Sequence, residues 1–178
     1  ASRQIPADAA EQFLEPRLRD LLPDPSILAD MDKAAARLAD AIEQQEAVAV
    51  FGDYDVDGAT SSAVLSRYWK MLGQKLRVYI PDRQKEGYGP NKQAFTRLHE
   101  EGHQLVITVD CGTMAHDVLQ QAQSQGMHVI VADHHQTGGG LPPCYALINP
   151  RRPDDHSQLG HLAAVGVTFM LVVALNRE

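Results

Sequence analysis

Cysteine is nearly absent from this 178-residue chain: Cys111 and Cys144 are the only two. Two thiols cannot build a disulfide framework and are too few for a thiolate zinc ribbon, so a reducing compartment, the cytoplasm, is the expectation. Aromatic residues make up only 6%, and no apolar run approaches the roughly 20 residues that a membrane helix needs, so no membrane partner is expected. The first 16 residues carry neither a basic n-region nor a continuous apolar h-region, which argues against a secretory signal. An excess of basic charge is missing as well. The formal net charge of -7 counts against a broad phosphate-binding surface, unless the acidic residues are gathered where divalent cations offset them.

What is present is a regular alternation. The pattern over Asp30 to Glu46, with Met31, Ala35, Leu38 and Ile42 at helical spacing, predicts an amphipathic helix. A short apolar run, 47–51, ends at Gly52 and reads as a buried strand. Helices follow at Thr60–Leu72, Asn91–Glu101 and Ala115–Gln125, each closed by a glycine. Strands are expected at Leu76–Ile80, Leu105–Val109, His128–Ala132 and Tyr145–Ile148. This order predicts an α/β fold with a parallel, mainly five-stranded sheet and helices on both faces, in a single domain over 1–178. Residues 1–28 read as an irregular lead-in, and Pro150 to His161 as an exposed loop or lid. The segment Leu162–Leu175 is apolar nearly all round and must be buried, either under the sheet or against further polypeptide.

Three acidic clusters stand where these strands end. Asp53, Asp55 and Asp57 follow the first strand, Asp110 the third, and Asp133-His134-His135 the fourth. Ligands of open parallel sheets sit beyond the carboxyl ends of the strands, so the three are expected to converge. Crowded carboxylates resist ionisation unless cations compensate. Carboxylate with imidazole suits Mn2+ or Mg2+, and two such ions activate water and clamp phosphoryl oxygens. Each cluster also has a plain reading. The D-x-D-x-D-G run resembles a calcium loop, but Val64 stands where that loop requires glutamate. A haloacid-dehalogenase-like D-x-D motif is a further reading, which leaves Asp133-His134-His135 unexplained. Asp110 alone can be a helix cap, and Asp133-His134-His135 a polar turn. Arg151, Arg152 and the remaining histidines read as solvated surface groups.

Taken in order, Gly52-Asp53-Tyr54-Asp55-Val56-Asp57-Gly58, Val109-Asp110-Cys111-Gly112 and Asp133-His134-His135 resemble the first three motifs of the DHH phosphoesterases. Tyr79-Ile80-Pro81-Asp82-Arg83 with Glu86-Gly87-Tyr88-Gly89, then Ile148-Asn149-Pro150, resemble the RecJ branch of that family, the 5′-to-3′ single-strand-specific DNA exonucleases of repair and recombination. The resemblance implies a two-metal phosphodiester hydrolase acting on the 5′ end of single-stranded DNA. It implies that Asp55 holds one ion, Asp57 and His134 the other, and that Asp110 bridges them, with Asp53 a further ligand or an acceptor behind them. His135 would face the scissile phosphate, Asp133 would orient a histidine, and Arg83 and Tyr88 would bind substrate. Phe51 stands where related short-chain members carry a histidine. The family's fourth acidic motif, its C-terminal DHHA1-type domain and its OB-fold are not in this chain. A longer protein is therefore expected, with single-strand-binding protein or a helicase as its partners. Two other readings remain: a DHH phosphoesterase for dinucleotides or pyrophosphate, and a non-catalytic binding module.

Overall fold

The computed structural model describes residues 5–178; the first four residues of the expected lead-in lie outside them. Five parallel strands form one sheet: β1 (Val48–Gly52), β2 (Arg77–Tyr79), β3 (Leu105–Val109), β4 (His128–Ala132) and β5 (Ala146–Ile148). Their spatial order is β2-β1-β3-β4-β5. The expected fold class is therefore observed, with strand ends within about one residue of the sequence reading.

Strands β1, β3, β4 and β5 are buried almost throughout, β2 at the sheet edge is half-buried, and alternate residues serve opposite faces. Val48, Val50, Leu105, Ile107, Val109, Ile130, Ala132, Ala146 and Ile148 join one core, with α3 (Met31–Glu43), α4 (Val56–Met71) and α8 (Ala164–Leu175) above them. Ala49, Phe51, Val106, Val129, Val131 and Leu147 join the other, under α6 (Lys92–Glu100) and α7 (His116–Ser124). The apolar helix α8 is thus covered by packing on α3 and α4, through Val167, Leu171 and Ala174. The lead-in holds short turns, among them α1 (Ala10–Leu14) and α2 (Leu18–Leu21), neither of which has a buried residue.

Two details depart from the sequence reading. Helix α4 begins at Val56, four residues before the expected Thr60, because Asp55 caps it by accepting from the backbone N–H groups of Asp57 and Gly58. The loop after β5 is anchored, not lid-like at its start. Arg152, expected in solvent, is 8% exposed and donates to Asp30 and Asp154 and to the carbonyl of Leu147. A guanidinium with this many acceptors is held in place and leaves no donor set free for phosphate.

The chain reverses its direction of strand addition between β1 and β3, since β2 lies outside β1 while β3, β4 and β5 extend the other way. The loops leaving the carboxyl ends of β1 and β3 diverge there to opposite faces and open a crevice.

Candidate metal centre

Asp53, Asp110 and Asp133 each sit one residue past a strand, and each extends the sheet by one further backbone bond. Asp53 N donates to Val109 O, Asp110 N to Ala132 O and Asp133 N to Ile148 O. The sheet ladder thereby sets the three carboxylates in a row along the crevice, all at most 3% exposed. Asp110 adopts a left-handed backbone, φ 61°, which Asp tolerates better than most residues. Helix α4 is drawn against Asp53 at Gly58, where an added Cβ would stand 2.5 Å from the Asp53 carbonyl oxygen.

Among the described residues, two groups of side chains have ligand atoms close enough to share an ion: Asp53, Asp55 and Asp110, and Asp110, His134 and His135. Asp110 belongs to both. Its Oδ1 lies 3.3 Å from His134 Nε2. The Oδ1 atoms of Asp53 and Asp110 are buried without a hydrogen-bond partner among the described residues. An unpartnered buried carboxylate oxygen is costly, and a cation satisfies it. Burial, with Asp55 and Asp57 nearby, pushes the Asp110 carboxyl up to about 8; burial raises Asp53 also. All-oxygen ligands with one or two imidazoles are the donor set of Mn2+ or Mg2+, so the residues fit a divalent centre.

Asp55 and Asp57 each have a second task. Asp55 Oδ1 is spent on the α4 cap. Both oxygens of Asp57 accept from the first turn of α8, from Ala164 N at 2.7 Å and Val165 N at 2.8 Å. Asp57 lies outside both ligand groups, with its Oδ2 3.7 Å from His134 Nε2.

Asp133 is a different kind of carboxylate. It accepts from Thr113 N, His134 N, His135 N and, at 2.7 Å, His135 Nδ1. Burial pushes its carboxyl upward, yet the bonds from His135 and Thr113 outweigh burial and hold it at about 2. The same bond raises His135 above the usual imidazole value. Asp133 is thus saturated with donors and orients His135.

A rim stands beside these groups. Arg83 opens α5 (Arg83–Glu86) and its guanidinium carbon lies 4.8 Å from the Tyr54 ring centroid. The Tyr88 ring meets Tyr54 edge-on at 6.5 Å and His135 at 6.3 Å. Glu86 holds this loop by accepting from Tyr79 Oη and Asp82 N. The carboxylates and histidines at the ends of β1, β3 and β4 thus lie close together, with Arg83 and Tyr88 on the rim through Tyr54.

Sequence reasoning assigned no role to four contributors: Tyr54, Glu86 and Asn149, which stood only as parts of motifs, and Thr113. Asn149 is fully buried and its Nδ2 donates to His135 O and Thr113 Oγ1, each at 2.9 Å. It follows β5 just as Asp133 follows β4, so the strand-end signal used for the aspartates pointed to it too. Tyr54 had no comparable signal.

Comparison with known proteins agrees with this fold. The model of the DHH family, N-terminal domain, matches residues 47–178. The chain is 43% identical over 172 residues to the single-stranded-DNA-specific exonuclease RecJ of Bacillus subtilis, covering 97% of this chain and 22% of that protein. It is 38% identical over 166 residues to the Escherichia coli protein of the same name, covering 93% and 29%. It therefore spans less than a third of these relatives. A crystal structure of exonuclease RecJ bound to manganese superposes with a TM-score of 0.77 at 37% identity, covering 88% of this chain and 39% of that one. RecJ from Thermus thermophilus in complex with Mn2+ gives 0.74 at 34% identity, covering 94% and 23%.

Proposed function

Because the chain belongs to the DHH family, we propose that it is the metal-dependent core of a RecJ-type exonuclease, which releases 5′-terminal nucleotides from single-stranded DNA in the 5′-to-3′ direction. One observation carries the reading: buried Asp110 is shared by two ligand groups that fit two divalent ions. Manganese in the two similar RecJ structures supports Mn2+ as a natural occupant; Mg2+ fits the same donors.

Asp55 with Asp53 and Asp110 would hold one ion, and Asp110 with His134 the other, with Asp57 beside it. Two ions so held would supply a polarised water and positive charge beside the phosphoryl oxygens. The protein's own work is positional. Its acidic cluster accepts the proton of the attacking water as the new oxygen–phosphorus bond forms. The bond from phosphorus to the 3′ oxygen of the terminal nucleotide breaks, and His135, whose protonated form the Asp133 carboxylate favours, returns a proton to that oxygen. Arg83 presents a planar, permanently charged group to a substrate phosphate, and Tyr88 an aromatic surface to a base.

No helix among the described residues is long and apolar enough to cross a membrane. We place the whole protein in the cytoplasm, acting in DNA repair and recombination, with single-strand-binding protein or a helicase engaged by its other domains. The test is to incubate the full-length protein with Mn2+ and end-labelled single strands. Mononucleotides should be released from the 5′ end, and Asp110→Ala should abolish the release. No release by the wild type, or equal release by the variant, would refute the assignment.

A further inference from the structure

Arg83 carries a full positive charge at the edge of an acidic crevice, yet it is paired with none of the acids. Among the described residues its exposed guanidinium makes no hydrogen bond or ion pair. It lies over the Tyr54 ring, 4.8 Å from the centroid. This placement needs a physical reason, because an arginine beside free carboxylates ordinarily collapses onto one of them as a two-pronged pair.

The acids of its own segment are already engaged. Asp82 accepts from Gln84 N and pairs with Lys85 at 3.2 Å, and Glu86 accepts from Tyr79 Oη and Asp82 N. The acids of the loop after β1 are not. Asp53 Oδ1 is buried without a partner among the described residues, and Asp55 is exposed and spends only Oδ1 on the α4 cap. Burial pushes the Asp53 carboxyl up while the Arg83 charge pulls against it, so the guanidinium is within electrostatic reach of this loop. Asp53 and Asp55 are also the groups that would share an ion with Asp110.

Tyr54 stands between these two acids in the sequence, and Tyr88 braces its ring edge-on, with centroids 6.5 Å apart. An aromatic face holds a guanidinium through its π electrons and uses none of the N–H donors, whereas a carboxylate would engage them and cancel the charge. The ring therefore leaves both parties free: the donors of Arg83 for a phosphate, and the oxygens of Asp53 and Asp55 for a cation.

We propose that Tyr54 is a positioning residue: its ring is the perch that keeps Arg83 off the ion-binding carboxylates and ready for substrate. The part that concerns substrate rests on the exonuclease reading above, and the part that concerns the ion rests only on the metal centre. Without the ring, Arg83 is free to pair with Asp55 or Asp53, where it competes with the cation and offers no donors to a strand. An attraction of this kind corresponds to about two- to thirtyfold in the balance between the two positions.

The experiment measures Mn2+ binding by calorimetry in the full-length protein without DNA, for Tyr54→Leu, Tyr54→Phe, Arg83→Gln and the double variant Tyr54→Leu/Arg83→Gln. Leucine keeps an apolar side chain and removes the π face. Tyr54→Leu should weaken Mn2+ binding several-fold, and Tyr54→Phe should match wild type, since the attraction needs a ring and not a hydroxyl. In the Arg83→Gln background Tyr54→Leu should cost nothing, because the competing cation is gone. Unchanged Mn2+ affinity in Tyr54→Leu, or the same loss in both backgrounds, would overturn the proposal; the second result would mean that leucine deforms the loop after β1 directly. A further readout follows substrate. With Mn2+ saturating, Tyr54→Leu should raise KM for single strands by about tenfold with kcat little changed, and equal KM values would reject the perch. A protein that released no nucleotide would refute the exonuclease reading, while calorimetry would still decide the role of Tyr54.

Discussion

Asp133 Oδ1 stands 2.7 Å from His135 Nδ1 and also accepts the backbone N–H groups of His134 and His135. One oxygen therefore sets both the ring orientation and the local backbone of the pair. Nδ1 is committed to Asp133, which leaves Nε2 as the nitrogen that can meet substrate.

Asp133→Asn would remove the charge that raises His135. A donor with a raised value stays protonated to higher pH and loses function as pH climbs through that value. The alkaline limb of kcat should therefore move to lower pH in the variant, and kcat at its optimum should fall by about 10² or more. The rate–pH profile of the full-length enzyme checks this; an unmoved alkaline limb would rule His135 out as the proton donor.

Asp133 also stabilises the fold. Its native value of about 2 lies below the ordinary carboxylate range, so its contribution is complete above about pH 4 and is lost as pH falls towards 2. The difference corresponds to about 2 kcal/mol. Urea titrations between pH 5 and pH 2 should show this loss in the wild type and a smaller one in Asp133→Asn.

Asp110 behaves oppositely. Raised to about 8, it favours the metal-free fold while protonated, and that contribution is lost as pH rises from the ordinary carboxylate range to about 8. Metal must displace the proton, so Mn2+ affinity should climb with pH up to about 8, with proton release measurable by calorimetry in buffers of different ionisation enthalpy. Asp110→Asn should abolish Mn2+ binding. In chelator at pH 9 it should be no less stable than wild type; marked destabilisation there would contradict the assigned repulsion.

Asp57→Ala separates two tasks of one carboxylate. Two backbone donors of α8 lose their acceptor, which should cost about 1–2 kcal/mol in chelator, the upper range for a helix cap. Mn2+ affinity should fall as well if Asp57 also serves the ion near His134. Thermal unfolding with and without Mn2+ distinguishes the two effects, and an unchanged Tm in chelator would show the cap to be dispensable.

Gly58→Ala tests the close approach of α4 to the strand end. The new Cβ would stand 2.5 Å from Asp53 O and 2.6 Å from Asp53 N, both backbone atoms that cannot turn aside. A loss of about 1–3 kcal/mol is expected from overpacking, together with weaker Mn2+ binding as Asp53 shifts. Denaturant unfolding measures the first and calorimetry the second.

The sequence by itself determined the sheet. Apolar runs of about five residues between helical patterns specify buried parallel strands, and their carboxyl ends predicted where Asp53, Asp110 and Asp133 would gather. Those readings are local, since they rest on periodicity and on which residues end a strand.

What each carboxylate does was decided only by tertiary structure. Asp53, Asp57 and Asp133 look alike in sequence, yet one has a buried oxygen with no partner among the described residues, one caps a helix that begins more than a hundred residues later, and one is saturated with donors. The burial of Arg152 likewise depended on Asp30, 122 positions away. The value of a charge depends on the groups folding brings within a few ångströms, and no spacing along the chain encodes those long-range neighbours.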